Sequence, residues 1–255
     1  MRHIAALLVV ALLAAVVVFF AISPAHGWWL PAGASSIAHP IDALFDGILV
    51  VIAAGFVLVM ALLSWAVWRG ARSQPGRART THGHLGLELA WTASIGAVLV
   101  GIAFAQLPTW AALRDPRAMP EGGATAMVVA HQWAWRFAHA GDDGKLGTED
   151  DLETASELVV PAGEPVLLTL RSRDVIHSFF VPELRIKQDV VPGRAISLWF
   201  TIERPGTYEL VCAELCGFGH YAMAGRVRAV ARTEYDAWIA ERSRARLTNG
   251  AEDAR

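Results

Sequence analysis

The sequence is short of charge and short of cysteine. Only 18% of its 255 residues are Asp, Glu, Lys or Arg, against 54% hydrophobic residues and a mean hydropathy of +0.38. That balance excludes an ordinary soluble domain and makes membrane segments the first expectation. Cysteine is confined to Cys212 and Cys216, and no Cys-x-x-Cys-His is present, which excludes a covalently attached c-type haem. No internal repeat or extended low-complexity segment is evident. Basic excess is also missing: the formal net charge is −2, which argues against nucleic acid as a partner.

Apolar runs are confined to the first half, at Ile4–Ile22, Gly47–Trp68 and Leu89–Trp110. Each approaches the roughly 20 residues that a bilayer core demands of a helix, and nothing beyond Trp110 does. The chain therefore divides into a membrane half and a water-soluble half. The loop Arg69–Leu87 carries Arg69, Arg72, Arg77 and Arg79 and no acid, whereas Pro24–Asp46 has no Lys or Arg. The positive-inside rule places that loop in the cytoplasm and the C-terminal half on the periplasmic or extracellular side of a bacterial plasma membrane, with Arg2 inside. Residues 1–26 read either as a signal peptide, with small residues at Ser23-Pro24-Ala25, or as a first transmembrane helix longer than a usual signal core. Residues 41–112 form a transmembrane hairpin, 113–232 a soluble domain, and 233–255 a terminal helix and tail.

The soluble half reads as β. Strands are predicted at Ala126–Phe137, Leu158–Val160, Pro165–Leu170, Val175–Val181, Ala195–Ile202, Thr207–Val211 and Gly225–Ala231. Several are separated by Pro/Gly turns such as Pro192-Gly193 and Pro205-Gly206, a pattern that indicates a sandwich or barrel. Thr233–Leu247 reads as a charged helix with Thr233 as N-cap. From Arg114 onward there are 21 Asp+Glu against 17 Lys+Arg, and Asp142–Glu164 holds eight acids and one base, Lys145. An acidic face of this kind suits a basic partner; the plain alternative is a solvated loop. Its Asp/Gly-rich part, Gly141–Asp151, does not match the spacing of an EF-hand and reads as a turn.

The chemistry is concentrated in Cys212-Ala-Glu214-Leu-Cys216-Gly-Phe-Gly-His220-Tyr-Ala-Met223, with His177 upstream at the start of His177-Ser-Phe-Phe-Val-Pro182. Thiolate, thioether and imidazole together form a soft donor set that favours copper, and a Met ligand points away from zinc. Two cysteines can bridge two metal ions and leave one His for each, with Met223 and a backbone carbonyl completing the set. A Cys212–Cys216 disulfide is the competing reading. It closes a very short loop and leaves His220 and Met223 without a role.

Cys-x3-Cys-x3-His-x2-Met with an upstream His and a Val-Pro resembles the CuA motif of cytochrome c oxidase subunit II. The resemblance runs from about Ile41 to Ala231 and includes Glu88-x-x-Trp91-Thr92 and His131-Gln132-Trp133-Ala134-Trp135. It implies two or three transmembrane helices followed by a cupredoxin-like Greek-key β-sandwich. Its implied metal ligands for two copper ions are His177, Cys212, the Glu214 carbonyl, Cys216, His220 and Met223. The Glu214 side chain is assigned to a magnesium ion at the contact with subunit I. Trp133 becomes the electron-accepting surface residue, Asp189 an acid that helps dock cytochrome c, and Glu88 the entrance to a proton path in subunit I. The implied partners are subunits I and III and cytochrome c or another small redox donor. Ala134 departs from the family, where an aromatic is frequent, and this puts the docking surface in doubt. Two other functions remain: the corresponding subunit of a CuA-type nitric oxide reductase, and a membrane-anchored copper chaperone holding one copper.

Overall fold

The computed structural model describes residues 2–72, 83–114, 119 and 123–253. The three apolar runs are helices, each extended beyond the run itself: α1 Arg2–Ile22, α2 Ala38–Arg72 and α3 Leu85–Arg114. Ala38–Gly70 and Leu85–Ala111, of mean hydropathy 2.8 and 1.8, are long and apolar enough to cross a membrane. Their large apolar side chains, among them Val50, Leu58, Leu99 and Phe104, are exposed; lipid is the solvent that such surfaces require. Arg77 and Arg79 of the predicted cytoplasmic loop lie outside the described residues. The chain separates into two compact units. One comprises Met1–Leu30 and Asp42–Ala112, the other Pro31–Ile41 and Leu113–Arg255.

The second unit is a sandwich of two five-stranded sheets. The first has the order β3 (Leu152–Ala155), β2 (Ala134–His139), β1 (Ala126–His131), β5 (Pro165–Ser172), β8 (Ile196–Thr201). The second runs β4 (Glu157–Pro161), β10 (Ala224–Val230), β9 (Gly206–Cys212), β6 (His177–Val181), β7 (Ile186–Val190). Pairing is antiparallel except for β1 with β5 and β10 with β4. Alternation makes the core: Ala126, Val128 and Ala130 of β1 point inward while their neighbours do not. They meet Trp135, Phe137, Leu168, Phe179, Phe200 and Leu210, all at most 1% exposed. The charged helix α4 (Arg232–Asp253) docks Tyr235, Trp238 and Ile239 against Val159 and Val230.

The structure redraws three sequence expectations. The run Ala126–Phe137 is not one strand but a tight hairpin turning at Gln132-Trp133, so that Ala130 pairs with Trp135. The edge strands β3 and β7 were not expected. The terminal helix begins at Arg232 and runs beyond Leu247.

Residues 31–37, ahead of α2, belong to the sandwich as a strap. The Ala34 N–H donates to the Glu183 carbonyl at 2.8 Å, the Glu203 N–H to the Ala34 carbonyl at 2.9 Å, and the Ser36 N–H to the Thr201 carbonyl at 3.1 Å. The buried Ser35 hydroxyl donates to the Leu184 carbonyl at 2.6 Å, and Ala34 is a core residue.

Candidate metal centre

Cys212 is the last residue of β9 and Met223 immediately precedes β10. The intervening loop is closed at its neck by Cys212 N–H donating to the Met223 carbonyl at 3.1 Å, and pinned to β6 by Ala213 N–H donating to the Ser178 carbonyl at 3.1 Å. His177, which opens β6, is carried to the same place by the pairing of β6 with β9. Within the loop, His220 opens a single 3-10 turn, its N–H donating to the Gly217 carbonyl at 3.1 Å.

All the predicted ligands converge. The two sulfurs are 3.8 Å apart, and both cysteines are free thiols. His177 Nδ1 stands 3.9 Å from Cys212 Sγ, and the Glu214 carbonyl 3.3 Å from it. On the other sulfur, His220 Nδ1 stands at 3.6 Å and Met223 Sδ at 3.8 Å. The arrangement is a sulfur pair with one imidazole at each sulfur. His177, Cys212, Cys216 and Met223 are buried. Burial, with a smaller contribution from the neighbouring Cys212, pushes the Cys216 thiol up to about 11. A thiolate in such a place requires a cation beside it. Soft donors, buried and mutually adjacent, fit copper.

Asp174, not singled out from the sequence, stands behind His177. Its Oδ1 is 2.8 Å from His177 Nε2. Burial pushes this carboxyl up, but hydrogen bonds from His177 and from the Gln132 and Val175 N–H groups outweigh that and hold it below its ordinary value. The negative carboxylate fixes Nε2 as the protonated nitrogen and leaves Nδ1 free to face Cys212, as ligating histidines generally require.

Trp133 is 41% exposed and lies on the metal loop. Its Nε1–H donates to the Cys216 carbonyl at 3.2 Å. A Cβ on Gly219 would fall 2.5 Å from Trp133 Cδ2, so only glycine admits the indole this close. Around it Leu215, Phe218 and Tyr221 are exposed at 79%, 88% and 85%, leaving an apolar rim about the loop. Trp135, two residues on, is fully buried and edge-on to His177.

Asp189, on β7 opposite Ser178, accepts from the Ser178 hydroxyl at 2.8 Å and from Lys187 Nζ at 3.1 Å. Those bonds, Ser178 first, hold its carboxyl low against the opposing effect of burial. The Glu214 side chain is half-buried. The carboxylates of Asp143, Asp150 and Asp151 in the acidic turn accept from the turn's own N–H groups and from the Thr148 hydroxyl. Glu88 lies in the other unit, in the first turn of α3. Its Oε1 accepts from the His84 N–H at 3.3 Å, while His84 Nδ1 accepts from the Leu87 N–H at 3.2 Å, a reciprocal helix cap.

Residues 125–230 match the family described as "Cytochrome C oxidase subunit II, periplasmic domain", and residues 23–109 match "Cytochrome C oxidase subunit II, transmembrane domain". The chain is 34% identical over 237 residues to "Cytochrome c oxidase subunit 2" of Cereibacter sphaeroides, covering 81% of this chain and 77% of that one. It is 32% identical to "Alternative cytochrome c oxidase subunit 2" of Bradyrhizobium diazoefficiens, covering 72% and 73%. Among solved structures, the periplasmic domain of subunit II of cytochrome oxidase from Bradyrhizobium japonicum is 27% identical, covers 50% of this chain and 98% of that one, and gives a TM-score of 0.44.

Proposed function

The chain belongs to the cytochrome c oxidase subunit II family, and on that premise we propose that it is the electron-accepting subunit of a respiratory haem–copper oxidase. In this reading it takes electrons from cytochrome c at a two-copper CuA centre and passes them to haem in subunit I, in support of oxygen reduction and proton translocation. Its sandwich faces the periplasm. The observation that carries the reading is the sulfur pair of Cys212 and Cys216, with His177 and His220 at opposite sulfurs and Met223 beside Cys216.

His177, Cys212, Cys216, His220, Met223 and the Glu214 carbonyl would hold the metal. A copper pair bound there would supply one-electron redox chemistry. The protein's part is to keep the donors in place and water out. Asp174 orients His177. The burial of Met223 and His177 keeps the surroundings dry, and a soft thioether tunes a copper potential more than it holds the ion. Trp133 offers an exposed indole in contact with the loop. The acids of the sandwich attract a basic donor over a distance set by the ionic strength. Glu214 holds magnesium at the subunit I contact, and Glu88 collects protons for a path in that subunit. A nitric oxide reductase would place the same copper domain beside a different catalytic subunit, so the co-purifying partner decides between them. A chaperone holding one copper leaves Met223 and His177 without a task.

The test is metal content and electron spin resonance of the full chain. Two coppers per chain, with hyperfine splitting spread over both nuclei, are expected, and Cys216→Ser should collapse the site to one. A single copper in the unaltered chain sinks the reading.

A further inference from the structure

Gln132 touches both sides of the metal centre. Its backbone N–H donates to Asp174 Oδ2 at 2.6 Å, and the other oxygen of that carboxylate faces His177 Nε2 at 2.8 Å. Its side-chain amide donates to the Cys216 carbonyl at 2.8 Å. His177 in turn faces Cys212, and Cys212 faces Cys216. One residue thus closes a ring that runs Gln132, Asp174, His177, Cys212, Cys216 and back.

We infer that Gln132 is a positioning residue that sets the conformation of the metal loop before any metal arrives and couples the His177 side of the centre to the Cys216 side. This rests on the two-copper reading above only for the identity of the metal. The loop needs such a tie. Leu215, Phe218 and Tyr221 are exposed, so apart from Cys216 itself the middle of the loop has little apolar burial to hold it, and segments with few buried contacts open readily. Its neck is fastened at Cys212, Ala213 and Met223, but the Cys216 carbonyl lies midway and is held from outside the loop, by Gln132 and Trp133. Both donors come from the tip of the β1–β2 hairpin, whose flanking residues Ala130 and Trp135 are fully buried. The tie therefore runs from a packed hairpin to a stretch of loop whose large side chains are exposed. The residue after Cys216 fits this arrangement. Gly217 has φ +117°, and a Cβ there would fall 2.9 Å from Gln132 Nε2, so glycine both permits the turn and leaves room for the amide.

Gln132→Met keeps the length of the side chain and the backbone N–H that binds Asp174, and removes only the donor to Cys216. Gln132→Glu keeps the shape and replaces that donor with a carboxylate, which repels the carbonyl. Two measurements on the full chain decide the matter. In chelator competition with Cu(II), both variants should bind copper about tenfold or more weakly, the usual cost of losing a partner behind the ligands. In the metal-free chain, amide exchange at Cys216–His220 should be about fivefold faster in Gln132→Met, the equivalent of one net hydrogen bond, while the strands β5 and β10 exchange as before. Equal acceleration in loop and strands, or copper affinity and loop exchange unchanged in both variants, overturns the positioning role. If the unaltered chain binds a single copper, the two-copper reading fails, yet the exchange comparison still decides the role of Gln132.

Discussion

The Trp133 indole donates its Nε1–H to the Cys216 carbonyl and lies with its ring against Gly219. An exposed aromatic is thereby joined to the residue that carries one of the two sulfurs. Trp133→Phe keeps a ring but deletes the bond, at about 1 kcal/mol. Copper content should survive and reduction by cytochrome c should slow in stopped flow. Gly219→Ala should produce the same slowing by another route, because its Cβ displaces the indole. Unchanged reduction rates in both variants would reduce Trp133 to a packing residue.

The strap of residues 31–37 implies that a soluble fragment starting at residue 113 lacks part of its own core. Such a fragment should unfold at lower denaturant than one to which residues 31–41 are joined or added. In the full sandwich, Ser35→Ala leaves the buried Leu184 carbonyl without its donor and should cost about 1–3 kcal/mol. Identical denaturation midpoints with and without the strap would contradict this.

Acid should loosen the docking of α4. His139 is fully buried; burial lowers its pKa from an ordinary 6.5 to about 4. Its Nδ1 lies 3.3 Å from the Tyr235 hydroxyl, and its ring makes a T-shaped contact with Trp238 at 4.9 Å between centroids. The folded state keeps this imidazole neutral, whereas the unfolded chain takes up a proton below pH 6.5. Stability therefore falls as pH drops from 6.5 toward 4, by roughly 3 kcal/mol over the whole window. His139→Phe should remove that part of the slope. Urea midpoints at pH 7 and pH 4.5 that fall equally in both proteins would show that another group is responsible.

Glu88→Gln is a clean substitution because an amide oxygen can still accept from the His84 N–H and keep the helix cap. The stability of α3 should change by less than about 0.5 kcal/mol. Turnover of the assembled oxidase should slow, since an amide cannot collect a proton, while copper is still reduced at the normal rate. Equal steady-state rates across pH would leave Glu88 as a helix-start residue only.

The cluster of soft donors is legible in the sequence because four of its side chains, Cys212, Cys216, His220 and Met223, fall within one short segment and their chemistry is unusual, and His177 joins them through the family motif. The groups behind the ligands were not. Asp174 and Gln132 are ordinary polar residues whose roles appear only when the hairpin tip meets the β5–β6 turn. The hairpin itself was hidden because Gln132-Trp133 contains neither Gly nor Pro, the usual marks of a turn. Strand β7 carries no period-two signal, because Lys187, Gln188 and Asp189 occupy its middle and only Ile186 and Val190 are buried. A sheet edge tolerates such polarity, and period-two reading does not detect it. The three helices were found from hydropathy, but their ends were not: α2 begins at Ala38, where His39, Asp42 and Asp46 interrupt the apolar pattern.

The strap also imposes an order of assembly. The hydrogen bond from Ser35 to Leu184 spans 149 residues of chain, and both membrane helices lie inside that loop. Contacts of such long sequence separation are slow to form, since the loop must close before they contribute anything. The ribosome finishes α2 and α3 before it reaches Leu184, so the seam can be closed only after the hairpin has been made. Biogenesis of the sandwich is thus tied to the synthesis of the anchor by chain connectivity.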